Sequence, residues 1–281
     1  MKKDFKCPVC DNANCQTIFI NPKNIGLSKC NNCDLLFTYP KPTDEQISKF
    51  YATDNYFKNW FLYKNIKFQT EQLRINSIIK KIQNYQIDID LAKAKLLDFG
   101  CGPGFFIETA TRYNIDCFGI EFSDFAVDYC QRANLKVTKI QNLPLDFDAE
   151  FFDIITIWHT LEHLTNPKET LLECQRLLKK NGILVIEVPN VHGLLQLLRG
   201  YKSLPLIEHQ LHFSAKTLRY LLELTGFEII ELLPGAPGYT RAGLKVLIKK
   251  IFANIGKFLY YSFNFYYCDT LLVYCRKNKK N

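Results

Sequence analysis

The sequence predicts an α/β fold built on a doubly wound, mostly parallel seven-stranded sheet, with a small cysteine-rich module ahead of it. Three observations carry that expectation. Strand and helix patterns alternate from Lys95 onward, the glycine-rich turn Asp98-Phe-Gly-Cys-Gly-Pro-Gly104 closes the first strand of that series, and two C-x2-C pairs lie close to the N-terminus. Alternation of this kind is the signature of a parallel sheet covered by helices.

Composition sets the bounds. A chain of 281 residues, 47% of them hydrophobic, has room for one α/β domain plus an appendage and is too apolar to be disordered. Eleven cysteines are scattered through it, and MKKDFKCPVC shows no apolar signal region after the lysines. That pattern predicts reduced thiols and a cytoplasmic location. No apolar run reaches the roughly 20 residues that span a bilayer, so the expectation is a soluble protein or one peripheral at the inner membrane face. The formal net charge of +8 is carried by residues 199–281, with 13 Lys/Arg against 5 Asp/Glu.

In chain order, residues 1–42 read as the turn-rich cysteine module. Residues 43–93 read as a helical linker, with Thr43 able to cap TDEQISKFY and with Leu73, Ile75, Ile78, Ile79 and Ile82 spaced for one buried face between residues 66 and 85. The main domain is placed at 94–281, with strands at KLLDFG, CFGIE, KVTKI, FDIITIW and ILVIEVP. Asn166-Pro167 predicts a helix start and Asn181-Gly182 its stop. Residues 191–265 read as an acceptor-side insertion, and FEIIEL and DTLLVYC as two closing strands.

Closely spaced glycines let backbone N–H groups approach a ligand, and Glu121, at the end of the next strand, suits a ribose diol. Such a loop alone would also fit a dinucleotide or a ligand-free tight turn. Two details favour another ligand. The spacing is G-x-G-x-G rather than G-x-G-x-x-G, and Asp98 sets a carboxylate where a pyrophosphate would be repelled but an ammonium and a sulfonium would be welcome. S-adenosyl-L-methionine is the ligand this favours. From Lys95 to Val188 the chain resembles the class I, Rossmann-like methyltransferases. The resemblance implies that Asp98, Gly100, Gly102 and Gly104 line the methionine part and that Glu121 binds the ribose. Trp158 joins the cofactor set, and Gln141 or Asn142 replaces the acidic residue that relatives often bring to adenine.

Trp158-His-Thr-Leu-Glu-His163 follows the fourth strand, where doubly wound sheets bind ligands. As H-x-x-E-H it also matches an inverted zinc-peptidase motif, but that motif needs an established helix and a distant third ligand. The segment resembles the acceptor side of ubiquinone-type and sugar-type methyltransferases. His159 or His163 is then the general base for a hydroxyl acceptor, and Glu162 and His212 are substrate contacts; capping or orienting roles for these histidines are the competing reading. In the quinone branch the resemblance also implies a divalent ion near Glu162, for which the residues themselves give no support.

Cys7-x2-Cys10 and Cys30-x2-Cys33, nineteen residues apart, predict a four-thiolate structural zinc site, a zinc ribbon. A module of about forty residues has little core, so a metal would supply most of its folding free energy. Cys15 is surplus, and Cys101, Cys117, Cys130 and Cys174 read as small core residues. Ribbons often touch nucleic acid, yet residues 1–50 carry seven Lys against five Asp/Glu and no arginine, a weak footprint for it. CNNCDLLFTYPKPTDEQISKFY also resembles bacterial methyltransferases of sugar and surface-glycan (polysaccharide) biosynthesis.

Residues 244–261 interleave lysines with large apolar residues. The preferred reading packs their apolar face on the sheet; the alternative lays it on an anionic membrane surface. The functional expectation is therefore methyl transfer from S-adenosylmethionine to a sugar nucleotide or surface-glycan intermediate. The alternatives are a small-metabolite or quinone O-methyltransferase, an RNA methyltransferase using the ribbon, and a non-catalytic zinc-binding module. Oligomeric state is not legible.

Overall fold

The computed structural model describes residues 5–43, 45–46, 60–140, 142–235, 251, 254–255, 258–260, 262 and 265–278. A seven-stranded sheet organises it, with strands β4 (Lys95–Phe99), β5 (Asp116–Glu121), β6 (Val137–Lys139), β7 (Phe152–Trp158), β8 (Leu178–Pro189), β10 (Phe227–Pro234) and β11 (Thr270–Lys277) in the order β10-β11-β8-β7-β4-β5-β6. Only β11 runs antiparallel, against both β8 and β10. The strand order reverses beside β4, and the carboxyl ends of β4, β5 and β7 meet there, where a ligand crevice forms in open α/β sheets.

The central strands are runs such as Phe-Asp-Ile-Ile-Thr-Ile-Trp because both of their faces are covered. Helices α1 (Lys64–Asn84), α2 (Phe105–Thr111), α3 (Asp124–Arg132), α4 (Pro167–Leu177), α5 (Leu194–Arg199) and α6 (Ala215–Leu224) accompany them. In α1 the buried side chains are Lys67, Glu71, Ile75, Ile78 and Ile82, while Leu73, expected inside, is 65% exposed. The inward stripe thus starts polar and ends apolar, and its polar end points at the ligand crevice.

Two helix signals act differently from expectation. Asn166 makes no side-chain cap, although Pro167 does begin α4. Asn181-Gly182 does not stop that helix: it ends at Leu177, and β8 starts at Leu178 and runs through both residues. Gly182 is there for close approach, since a Cβ would sit 2.8 Å from the Leu178 side chain and 2.9 Å from the Asp153 carbonyl.

A second, four-stranded antiparallel sheet follows the order β1 (Cys15–Ile20), β2 (Gly26–Cys30), β3 (Leu36–Thr38), β9 (Leu211–His212). Its last strand comes from far along the chain, with Thr38 and His212 in contact across 174 positions. Cys7, Val9, Cys30, Cys33, Leu35 and Phe37 share one apolar core with Leu218, Leu221 and Leu222 of α6 and with the main sheet. Asp34–Lys216 and Asp11–Lys168 ion pairs flank that contact.

Most of residues 244–261, and the expected helix over TDEQISKFY beyond Gln46, lie outside the described residues. Among the described residues no helix is long and apolar enough to cross a membrane.

Candidate functional site

At the end of β4 the chain turns through Gly100, Gly102 and Gly104, all with positive φ, into α2. At Gly100 the requirement is double: φ is +77°, and a Cβ would lie 2.4 Å from the Thr160 side chain. The loop is pinned by Gly100 and Cys101 N–H groups donating to the Ile120 carbonyl at 2.8 and 3.1 Å. Glu121 completes it. Its Oε2 accepts from Gly102 N–H at 2.7 Å, and its Oε1 accepts from Phe122 and Ser123 N–H at 2.8 and 2.9 Å.

Asp98 is paired with Thr156 by the β4–β7 register and accepts the Thr156 hydroxyl at 2.7 Å. Burial pushes its carboxyl up to about 7, against the lowering effect of that hydrogen bond. A buried carboxylate held this way is stabilised by a cation arriving in the crevice.

Helix α1 supplies three charged groups that sequence reading missed. Lys67 lies 3.6 Å over the Trp60 ring, and burial brings its ammonium down to about 8 although Glu71 works the other way. Arg74 donates to both Glu71 oxygens at 3.2 and 3.0 Å and to Glu187 of β8 at 2.9 Å. Its guanidinium also stacks 4.3 Å from the Trp158 ring. The usable signal was the spacing of 67, 71 and 74 on the same face as Ile75, Ile78 and Ile82.

After β7 the chain reverses at His159, whose φ is +50°, with its N–H donated to the Glu187 carbonyl at 2.9 Å. A one-turn 3-10 helix, Leu161–His163, follows. Glu162 is 1% exposed. Its Oε1 lies 3.5 Å from His159 Nδ1 and 3.9 Å from His163 Nε2, and its Oε2 has no hydrogen-bond partner among the described residues. Burial, complete for Glu162 and partial for His159, opposes charge on this pair, but their mutual contact and the neighbouring Glu187 and histidine charges win. His159 is raised above the ordinary imidazole range and Glu162 is lowered. Burial pushes His209 down to about 4, so it is neutral.

These groups line one cavity of ≈ 840 Å³. The glycine loop, Asp98, Glu121 and Trp158 line it from the ends of β4, β5 and β7. His159, Glu162, His163, Glu208 and His209 line it from the turn after β7 and the segment before β9. The volume is within the range of small-molecule sites. The lining therefore combines a cradle for a cationic ligand with a half, built by the turn after β7 and the segment before β9, that can hold and deprotonate a polar group.

Of the sequence-predicted residues, Asp98, Gly100, Gly102, Glu121, Trp158, His159, Glu162 and His163 come together here. Gly104 lies behind the loop as the N-cap of α2, Asn142 is exposed, and Gln141 lies outside the described residues. His212 departs from expectation. It is 4% exposed, does not line the cavity, and its Nε2 meets Thr38 Oγ1 at 3.3 Å, because β9 pairs with β3 and turns it toward the cysteine module. His209, not singled out beforehand, stands at the cavity instead.

Among the described residues, two groups have donor sets suited to a metal. Glu162, His163 and His209 offer one ligand atom each within 4.8 Å of one another. Cys7, Cys10, Cys30 and Cys33 do the same with four sulfurs, and the Cys7–Cys33 and Cys10–Cys30 sulfur pairs are each 3.5 Å apart. Tetrahedral zinc with ~2.3 Å bonds spaces its thiolates about 3.8 Å apart, so the four cysteines are compatible with that ion. A hydrogen bond from the Cys33 thiol brings Cys7 down to about 5, and the same bond raises Cys33. Cys15 stays outside the four and donates to the Asn12 carbonyl.

Residues 70–232 match the family model described as a methyltransferase domain. Similar curated proteins are each named ubiquinone biosynthesis O-methyltransferase. That of Methylococcus capsulatus is 29% identical over 117 residues, covering 39% of this chain and 49% of its own. That of Glaesserella parasuis is 33% identical over 107 residues, covering 34% and 45%. That of Rickettsia bellii is 28% identical over 174 residues, covering 57% and 71%. The chain thus spans about half the length of the first two relatives. Among solved structures, a SAM dependent methyltransferase from Archaeoglobus fulgidus superposes with a TM-score of 0.55 at 21% identity, covering 80% of this chain and 100% of that one. The plantazolicin methyltransferase BpumL in complex with SAH gives 0.55 at 18% identity, covering 83% and 94%. At these identities the superpositions show the shared α/β fold.

Proposed function

The chain belongs to the methyltransferase domain family, and from that premise we propose that it transfers a methyl group from S-adenosylmethionine to a hydroxyl of a small acceptor, a hydroxylated aromatic of the quinone-precursor kind. The observation that carries the reading is the division of one cavity between a glycine-loop cradle and the His159–Glu162 pair.

The cradle suits the cofactor on the molecule's own terms. Asp98 is a buried carboxylate whose charge calls for a cation, Glu121 can accept ribose hydroxyls, and Lys67 can receive a carboxylate. When bound, the cofactor supplies an electrophilic methyl on sulfur. The acceptor half then aligns the nucleophile, and His159 takes the hydroxyl proton while Glu162 stabilises the imidazolium that results. Glu187, locked by Arg74 and Thr270, keeps His159 in position through its carbonyl.

The relatives' names support the quinone alternative over the sugar acceptor that the sequence placed first. A sugar remains the second reading, favoured by the polar lining of Glu162, His163, Glu208 and His209, which suits several hydroxyls. The segmentation into ribbon (1–42), linker (43–93) and catalytic domain (94–281) is part of the same proposal, as is a structural zinc at the four cysteines.

The test is S-adenosylhomocysteine formation with a catechol such as 3,4-dihydroxybenzoate, with sugar nucleotides and with RNA as separate acceptors. Turnover of the catechol, lost in His159→Ala, supports the reading. Turnover of a sugar nucleotide alone would move the acceptor to the second reading, and salt-dependent RNA methylation or no cofactor binding would overturn both.

A further inference from the structure

We propose that the cysteine module builds the acceptor half of the cavity, with Thr38 of β3 as a positioning residue that holds the segment Glu208–His212 in place. The inference rests on the reading of that half as the acceptor site.

The β3–β9 pairing is only two residues long, Leu36 with His212 and Phe37 with Leu211, and joins parts of the chain more than 170 positions apart. Thr38 extends it. Its N–H donates to the Gln210 carbonyl at 2.9 Å, and its hydroxyl donates to the His209 carbonyl at 2.8 Å. A hydroxyl has one hydrogen, so the 3.3 Å contact with His212 has the imidazole Nε2–H as donor. Thr38 is 1% exposed, so no bulk water can replace these bonds.

From the other side the same segment is tied to the turn after β7. His163 Nδ1–H donates to the Glu208 carbonyl at 2.9 Å, and Gln210 N–H donates to the Glu162 carbonyl at 2.8 Å. Three successive carbonyls, of Glu208, His209 and Gln210, are thus taken by His163, the Thr38 hydroxyl and the Thr38 amide. The segment is strung between the cysteine module and the catalytic turn, and this sets the His163 and His209 rings edge to face at 4.8 Å. The glycine loop meets this strap only at one remove, through Thr160 of the catalytic turn, whose hydroxyl donates to the Gly100 carbonyl at 3.4 Å. The module therefore acts first on acceptor geometry and only weakly on the cofactor cradle.

The experiment compares wild type, Thr38→Val, Thr38→Ser and His212→Gln, each carrying all 281 residues and matched for zinc content. Amide exchange at Gln210–His212, S-adenosylhomocysteine titration and turnover of 3,4-dihydroxybenzoate are measured on each. Loss of the hydroxyl leaves two buried groups unpartnered, so Thr38→Val should speed exchange in the segment and raise the acceptor KM roughly tenfold, with kcat and S-adenosylhomocysteine affinity within about twofold. Thr38→Ser should restore both, and His212→Gln, which keeps a donor, should shift them less than Thr38→Val. Unchanged exchange in Thr38→Val, no rescue by serine, or an equal loss of cofactor affinity overturns the proposal. Should Thr38→Val not fold, an unaltered segment in His212→Gln together with unaltered KM in Thr38→Ala overturns it. If wild type methylates no catechol, the acceptor class fails, while the exchange arm still decides the role of Thr38.

Discussion

Gly102 donates its backbone N–H to Glu121 Oε2 at 2.7 Å, so the acid at the end of β5 builds the loop at the end of β4 as well as facing the cavity. Removing that carboxylate strips acceptors from three backbone N–H groups. Charge-assisted hydrogen bonds contribute about 1.5–3 kcal/mol each, so Glu121→Ala should weaken S-adenosylhomocysteine binding by roughly 100-fold or more. Glu121→Gln, which keeps one acceptor, should fall between. Calorimetric titration decides it, and wild-type affinity in the alanine variant would remove Glu121 from the cofactor site.

Asp98 makes binding pH-dependent. Its folded value is about 7 and its ordinary value 3.8, so between those limits the folded chain holds the extra proton. Asp98 thus detracts from the stability of the empty fold as pH rises through that window, and its full cost is present above 7. A cationic ligand favours the ionised carboxylate. S-adenosylmethionine affinity should therefore climb from pH 5.5 to 8 and level off, with proton release below 7 seen as a buffer-dependent heat. Asp98→Asn should bind more weakly and show a flat profile.

What was legible in the sequence was what sits close along the chain. Asp98, the glycines, Glu121 and the two cysteine pairs are local patterns whose geometry follows from a strand, a turn and a short spacing. What escaped depends on residues far apart. Arg74 meets Glu187 across 113 positions, and its role is invisible in a helix that reads as a linker. The two-residue β9 is too short to carry a strand pattern, yet its pairing with β3 turns His212 away from the cavity and leaves His209 in its place. Gly182 looked like a helix stop because Asn-Gly usually punctuates; the Leu178 side chain packed against it needed the absent Cβ instead.

Although partial burial disfavours its charge, His159 is raised by its contact with Glu162 and by the charge of Glu187. As a base it works only when neutral, so the acid limb of kcat/KM should lie above the ~6.5 of an ordinary imidazole. The ion pair itself stabilises the fold between the lowered folded value of Glu162 and the raised folded value of His159; it is lost as pH falls through the first and as pH rises through the second. Glu162→Gln removes the largest of the raising contacts and should move the limb to lower pH while lowering the plateau, as the imidazolium loses its partner. A pH–rate profile that does not respond to this change would exclude His159 as the base.

Cys7, Cys10, Cys30 and Cys33 stand together at the head of the small sheet, and the apolar residues that follow them, Leu35 and Phe37, join the core shared with α6. Ile25, Leu27 and Leu36 add a second small core with Val191 and Leu206, so the cysteine end of this sheet, rather than the whole of it, relies on whatever holds the four sulfurs. The purified chain should carry one zinc per molecule by elemental analysis. Chelation or Cys10→Ser should lower Tm by roughly 5–10 °C, which corresponds to about 3 kcal/mol for a chain of this size. Because the same module grips Glu208–His212 through Thr38, loss of the ion should cost catechol turnover before it costs S-adenosylhomocysteine binding. A chain whose Tm and turnover ignore both chelator and Cys10→Ser would show that the four cysteines fold without a metal.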